Sequence, residues 1–278
     1  MEDIEKTRPY VSKFDSFTQN FFKNQFYSSN FDNTRQQILN RLYGVLSNRT
    51  LARMFAHPKN KLNLFEAMNR GSIILINTAK DLLKQEGTEV FGRFLIALIA
   101  QATQERAAIH PRHRTPTFVY IDEAQDYFRG GNEMLEVLIS QGRKYCVGMT
   151  VVHQHLGQLD RGLRDTLMAN TATKIVGGLS DDDLRVFARV MNSSPEDMLP
   201  RMRKYATHTD FVKFYPRENP PRNQFSIPIG ILDKYEHMPA VEYDRLIEGN
   251  RQRYCAPADE ARRLLQSSSF TPDLPTAM

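Results

Sequence analysis

The run Thr117-Phe118-Val119-Tyr120-Ile121, followed at once by Asp122-Glu123, constrains this chain more than any other stretch. Five β-branched or aromatic residues fit a strand buried in a parallel sheet. Two adjacent carboxylates cannot continue it, so the strand ends there, at the edge where open α/β sheets take their ligands. An Asp in that position can hold a Mg²⁺ directly or through water, and a Glu beside it can orient and polarise an attacking water.

The segments that follow repeat the arrangement. After Gly130-Gly131, Asn132 is a candidate N-cap. Met134, Leu135, Leu138 and Ile139 make the apolar stripe of a helix, and Gly142 is its expected C-cap. Arg143-Lys144 then precede a second strand, Cys146 to Val152, which ends in His153-Gln154-His155. Two neighbouring strands are thus expected to deliver polar groups to one sheet edge.

Taken together, Asp122-Glu123-Ala124-Gln125, Gly142-Arg143-Lys144-Tyr145 and His153-Gln154-His155 resemble the motor ATPases of the FtsK/HerA superfamily. Within it they look most like the coupling-protein and secretion-energising ATPases of conjugation and type IV secretion. The resemblance covers roughly Gly71 to Val190 and is best from Thr117 to Gly177. It implies that Asp122 and Glu123 form a Walker B pair, with Asp122 supporting Mg²⁺ beside ATP and Glu123 activating water. It implies that Arg143 is an arginine finger offered to a neighbouring subunit, and that Gln154 is a sensor of the γ-phosphate. It further implies a homo-hexameric ring with DNA in its pore, working with conjugation or type IV secretion machinery. The location it implies is the cytoplasm, at the inner face of a membrane.

The chain departs from the family in one respect. A complete P-loop motor needs G-x-x-x-x-G-K-[ST], whose amides and Lys cradle the phosphates. The closest spacing here is Gly87 to Gly92, but Arg93-Phe94 follows in place of Lys-Ser/Thr. The expected reading is the C-terminal part of a longer ATPase, or a split or degraded version. The alternatives are a non-enzymatic adaptor that docks on an intact ATPase, and an energiser of protein secretion.

The expected fold is α/β: a RecA-like, mainly parallel sheet flanked by helices, a partial P-loop NTPase domain with a small C-terminal appendage. The expected division is 1–31 as an aromatic-rich leader packing on a missing or partner segment, 32–215 as the partial ATPase domain, and 216–278 as appendage and tail. With 41% hydrophobic and 25% charged residues, the 278-residue chain has the composition of a globular protein. No apolar run is long enough for a transmembrane helix. Two cysteines, Cys146 and Cys255, exclude a disulfide framework. The net charge of +5 permits nucleic acid without requiring it.

In chain order, helices are expected over Thr34–Asn48, around Leu62–Met68, and over Thr88–Ile109, where His110-Pro111 stops the last. Ser72 to Asn77 (SIILIN) is expected as a strand, making a βαβ unit with Thr117–Ile121. Beyond the central stretch come a helix over Arg161–Asn170, a strand over Thr173–Gly177 and a helix capped by Ser180. A further turn of helix begins at Ser194-Pro195, and a hairpin should pair Phe211–Phe214 with Phe225–Ile227. Helices over Val241–Arg251 and Ala258–Leu265, then a loose tail, complete the chain.

Each site residue also has an ordinary reading. Asp122-Glu123 can be a charge pair capping the next segment, and Arg143 a cation complementing a helix C-terminus. Gln154 can bond loop backbone. His153 and His155 alternate as metal ligands would, without a third ligand at recognisable spacing. Asn77, Lys80, Asn170 and Thr171 can line a nucleotide edge or simply cap.

Overall fold

A computed structural model describes residues 4–55, 60–128, 133–203, 208–210, 212–213, 226–228, 231–257, 259–260 and 263. The elements in order are α1 (Ile4–Val11), α2 (Ser16–Phe21), α3 (Asp32–Ser47), α4 (Arg49–Phe55), α5 (Leu64–Asn69), α6 (Lys80–Glu105), β1 (Thr117–Ile121), α7 (Glu133–Gln141), β2 (Val147–Val151), α8 (Arg161–Asn170), β3 (Lys174–Ile175), α9 (Asp181–Met191), α10 (Pro195–Arg203), β4 (His208–Asp210), β5 (Val212–Lys213), β6 (Ser226–Pro228) and α11 (Ala240–Tyr254). The chain is mostly helical, with a small parallel pair of strands, and divides into two compact units.

The first unit comprises Met1–Asn63, Ile76–Phe91 and Arg245–Met278. Its aromatic start packs on itself: Phe21 meets Phe22, Phe26 and Phe31 ring to ring, and Phe26 is buried. Asn48 joins two stretches. Its side-chain oxygen caps the start of α4 at Thr50 and Leu51, and its amide donates to the Leu83 carbonyl at 2.7 Å.

The second unit comprises Leu64–Leu75 and Gly92–Asp244 and holds the candidate site. Strands β1 and β2 pair in parallel, Thr117 opposite Val147 through Ile121 opposite Val151, with α7 as the crossover. The side chains alternate across the pair, as pleating requires. Val119, Ile121, Met149 and Val151 face a core built from Ile96, Ala100, Leu138, Leu159, Leu163 and Leu167. Phe118 and Tyr120 point the other way and are exposed. The expectation of a strand buried on both faces is therefore corrected: among the described residues the helices cover one face only. A second core gathers Leu156, Val176, Leu184, Phe187, Ala188, Met191 and Met198, the apolar side of α9 among them. Ser180 accepts from the Asp183 amide and caps α9, as expected.

Other expectations are corrected too. Ser72–Asn77 forms no strand; Ile73 and Leu75 are 91% and 90% exposed. Sequence supplies β propensity, but a strand exists only when a partner completes its hydrogen bonds. Helix α6 starts at Lys80 and absorbs Gly87 to Gly92, with a left-handed break at Lys84 (φ 58°). The left-handed residue after α7 is Cys146 (φ 59°), not Gly142. Gly142 serves close packing instead, because a Cβ there would sit 3.1 Å from the Val147 carbonyl oxygen. Strand β3 does not extend the parallel pair; it pairs antiparallel with β5, and β4 pairs antiparallel with β6. So Val212-Lys213 and Ser226-Ile227 are strands, but each has a partner other than the expected one. Asn132, Phe211, Phe214, Phe225 and the tail lie outside the described residues, as does most of Ala258–Leu265.

Candidate functional site

Pairing of β1 and β2 continues past their formal ends. The Val152 amide donates to the Ile121 carbonyl at 2.9 Å, and the Ala124 amide donates to the Val152 carbonyl at 2.9 Å. Asp122 and Glu123 are the two residues left outside this ladder, so the chain must loop out through them. Glu123 takes a left-handed conformation (φ 47°, ψ 46°), unusual for a residue with a Cβ. Its amide is satisfied locally by Asp122 Oδ1 at 2.9 Å. The turn is then anchored from below, because Ala124–Phe128 are buried. Gly92 on α6 lets the Tyr127 ring lie close: a Cβ there would come within 2.2 Å of it.

The sequence places Glu123 and Gln154 on one edge, and the structure joins them. Gln154 Nε2 donates to Glu123 Oε1 at 3.2 Å and lies 3.4 Å from Oε2. The ordinary reading of Gln154, a side chain spent on loop backbone, does not hold. That task falls to Gln158, whose Oε1 accepts from the amides of Gln154 and His155 at 3.2 and 3.3 Å. Asp183, 6% exposed, reaches from α9 to accept from the Leu156 amide at 3.1 Å. The loop that carries Gln154 is thus tied at both ends.

Three residues that hold the two ends of the strand pair escaped sequence reasoning. Gln125 is buried in the turn after β1 and donates from Nε2 to Glu123 Oε2. It sits only two residues from Glu123, but nothing in the run signals that its side chain turns back. Asp183 lies in the first turn of the helix that Ser180 was expected to cap. Its place on the same stripe as Leu184 and Phe187 was the available clue. Arg106 is the third. It is fully buried and donates to the Thr115 and Tyr145 carbonyls at 3.0 and 3.1 Å and to Thr117 Oγ1 at 2.7 Å. Burial pushes its guanidinium below the ordinary arginine value.

Arg143 is not brought beside Glu123. It lies exposed in the turn Gly142–Tyr145, at the opposite end of β2. Five residues at about 3.3 Å each separate the two ends, roughly 16 Å. His153 is half-buried, its Nδ1 buried without a partner, and burial pushes its pKa below the ordinary value. His155 is exposed and serves as the cap of the turn Leu156–Gln158. Three further candidates bond backbone: Asn77 Oδ1 accepts from the Ala79 amide, Asn170 donates to the Thr166 carbonyl, and Thr171 donates to that of Leu167.

A Mg²⁺-nucleotide fits this chain at one end only. Asp122 is exposed with one carboxylate oxygen outside its bond to Glu123, and Mg²⁺ commonly takes one or two carboxylates, completing its shell with water and phosphate. Among the described residues no group of three or more His, Cys, Asp and Glu side chains is placed to hold a metal by itself. The cradling end does not fit: Gly87 to Gly92 lie within α6, where interior amides are engaged by the preceding turn. No protein-family model matches the chain, and no curated protein matches it significantly.

Proposed function

We propose that this chain carries the hydrolytic edge of a RecA-like, FtsK/HerA-type motor ATPase. The supporting observation is the meeting of the Glu123 carboxylate with the Gln154 amide across the tips of two parallel strands. A carboxylate held by an amide on the adjacent strand is suited to both base and sensor work. Bound Mg²⁺-ATP would supply the electrophilic phosphorus and the leaving group. Asp122 would hold the metal's water shell. Glu123 would orient a water and accept its proton as the oxygen attacks. Gln154 would exchange its bond to Glu123 for one to the nucleotide, coupling occupancy to the loop that Asp183 tethers. Arg143, exposed at the far end of β2, suits a role across a subunit boundary in a ring, where it would stabilise transition-state charge. The cargo would be DNA in the pore of a homo-hexamer serving conjugation or type IV secretion.

A second reading has its own support. With no phosphate loop at Gly87 to Gly92, the chain would act as an adaptor, a motor-like domain docking on an intact ATPase. One experiment bears on both. Nucleotide binding and phosphate release by the purified chain are measured beside Glu123→Gln. Weak ATP binding and a small turnover abolished by the substitution support the motor edge. No turnover in either protein supports the adaptor. Robust hydrolysis indifferent to Glu123→Gln overturns the assignment of the carboxylate.

A further inference from the structure

We infer that Gln125 is the positioning residue of the Glu123 carboxylate: a buried amide that fixes the carboxylate from within its own turn while Gln154 is free to let go. What Glu123 does chemically rests on the function proposed above; that Gln125 holds it does not.

Three observations carry this. Gln125 is 7% exposed and lies in the turn Ala124–Asp126, which is continuous with the buried Tyr127 and Phe128 of the main core. Its side chain is therefore held by packing, and its Nε2 donates to Glu123 Oε2. Next, Gln125 Oε1 is buried with no hydrogen-bond partner. An unpaired buried carbonyl costs free energy that an apolar side chain of similar shape would avoid. Turning the amide over would satisfy nothing, since the carbonyl would then face a carboxylate. The position tolerates the cost, and the bond to Glu123 is what the amide gives in return. Last, the two amides on Glu123 differ in freedom. Gln154 is exposed and comes from the adjacent strand tip, whereas Gln125 is enclosed.

This inequality has a consequence for the site. A carboxylate gripped by Gln154 alone would follow that side chain whenever it moved toward a ligand. With Gln125 in place, one oxygen stays anchored and Glu123 keeps its aim from the left-handed backbone at φ 47°.

The test reads the amides directly. In the ¹⁵N-labelled chain, the side-chain NH₂ signals of Gln125 and Gln154 are assigned by Gln125→Leu and Gln154→Leu. Glu123→Ala is expected to shift the Gln125 pair and speed its exchange with solvent at least tenfold; Gln154→Leu is expected to leave that pair in place. A Gln125 pair indifferent to Glu123→Ala overturns the proposal. Gln125→Leu, or Gln125→Met if the branched side chain prevents folding, should unfold at no lower denaturant than Glu123→Ala, which lacks the same bond; a loss of stability beyond that of Glu123→Ala would show a packing role instead. Where the chain turns over ATP in a Glu123-dependent way, Gln125→Met should lower kcat about tenfold with KM unchanged, and a wild-type kcat overturns the proposal. Turnover that survives Glu123→Gln sinks the reading of Glu123 as base and leaves the amide result to decide on Gln125.

Discussion

The two ends of the β1–β2 pair are built from the same ten strand residues and have opposite characters. At the N-terminal end, Arg106 is sealed from solvent and donates from its two terminal nitrogens to Thr115, Thr117 and Tyr145. Arg114 adds a second layer there, donating to the carbonyls of Arg106, Ile109 and Lys144 while its guanidinium lies over the Tyr145 ring. At the C-terminal end, polar groups stay near water, the backbone at Glu123 is in a sparsely populated conformation, and one carboxylate is shared between two amides. One end closes the structure with a cation that touches only neutral acceptors. The other holds charge in reach of water. The difference shows that a buried ionisable group is no guide to function by itself; its partners decide.

The comparison predicts that the sealed end dominates stability. Arg106→Met would strand the Thr115 and Tyr145 carbonyls and remove hydrogen bonds from a charged donor, a loss of about 3 kcal/mol. Urea unfolding of the variant checks this, and a midpoint equal to the wild type would break the contrast between the ends. On the open side the largest effect should come from Asp183→Ala, which leaves the buried Leu156 amide unpaired and should cost about 2 kcal/mol. Asp183→Asn, which keeps an acceptor, should recover most of it in the same assay.

A smaller effect of opposite sign is expected at Glu123. Replacing it by Gly relieves the left-handed backbone and should stabilise the fold by about 1 kcal/mol while removing the carboxylate. A gain in stability together with loss of any ATP turnover would mark strain retained for function; a loss of stability would mean that the amide contacts outweigh the strain. The smallest effect concerns His153. Burial lowers its pKa in the folded chain, so the unfolded state takes up the proton first as pH falls. Its contribution to stability is therefore present above the ordinary histidine pKa of 6.5 and is lost as pH drops through that value toward the lowered one. Unfolding midpoints between pH 7 and 5, on the order of neutral to mildly acid, should fall less steeply in His153→Asn than in the wild type.

Legibility followed the range of the interactions. The strand Thr117–Ile121 and the helix Arg161–Asn170 have the bounds that their sequence patterns indicate. Both are set by local features: an abrupt charge pair in one, an Asp160 cap whose side chain accepts from the Leu163 amide in the other. Ser72–Asn77 has an equally strong pattern and forms no strand, because among the described residues no neighbour offers it a ladder. The partners of β4, β5 and β6 were missed for the same reason: which strand lies beside which is not a local property.

The site divides along the same line. Short apolar runs and the placing of acids and amides at strand ends were enough to bring Glu123 and Gln154 to one edge and to set Arg143 at the start of β2. Sequence alone therefore determined which residues stand together at this strand edge, since pleating and parallel pairing leave no other choice for strand ends. Only the tertiary structure decided how Glu123 is held. The grip of Gln125 depends on a turn locked by the core, and the tether of Asp183 spans 27 residues to Leu156. Such contacts arise from packing between distant elements, which a one-dimensional pattern does not encode.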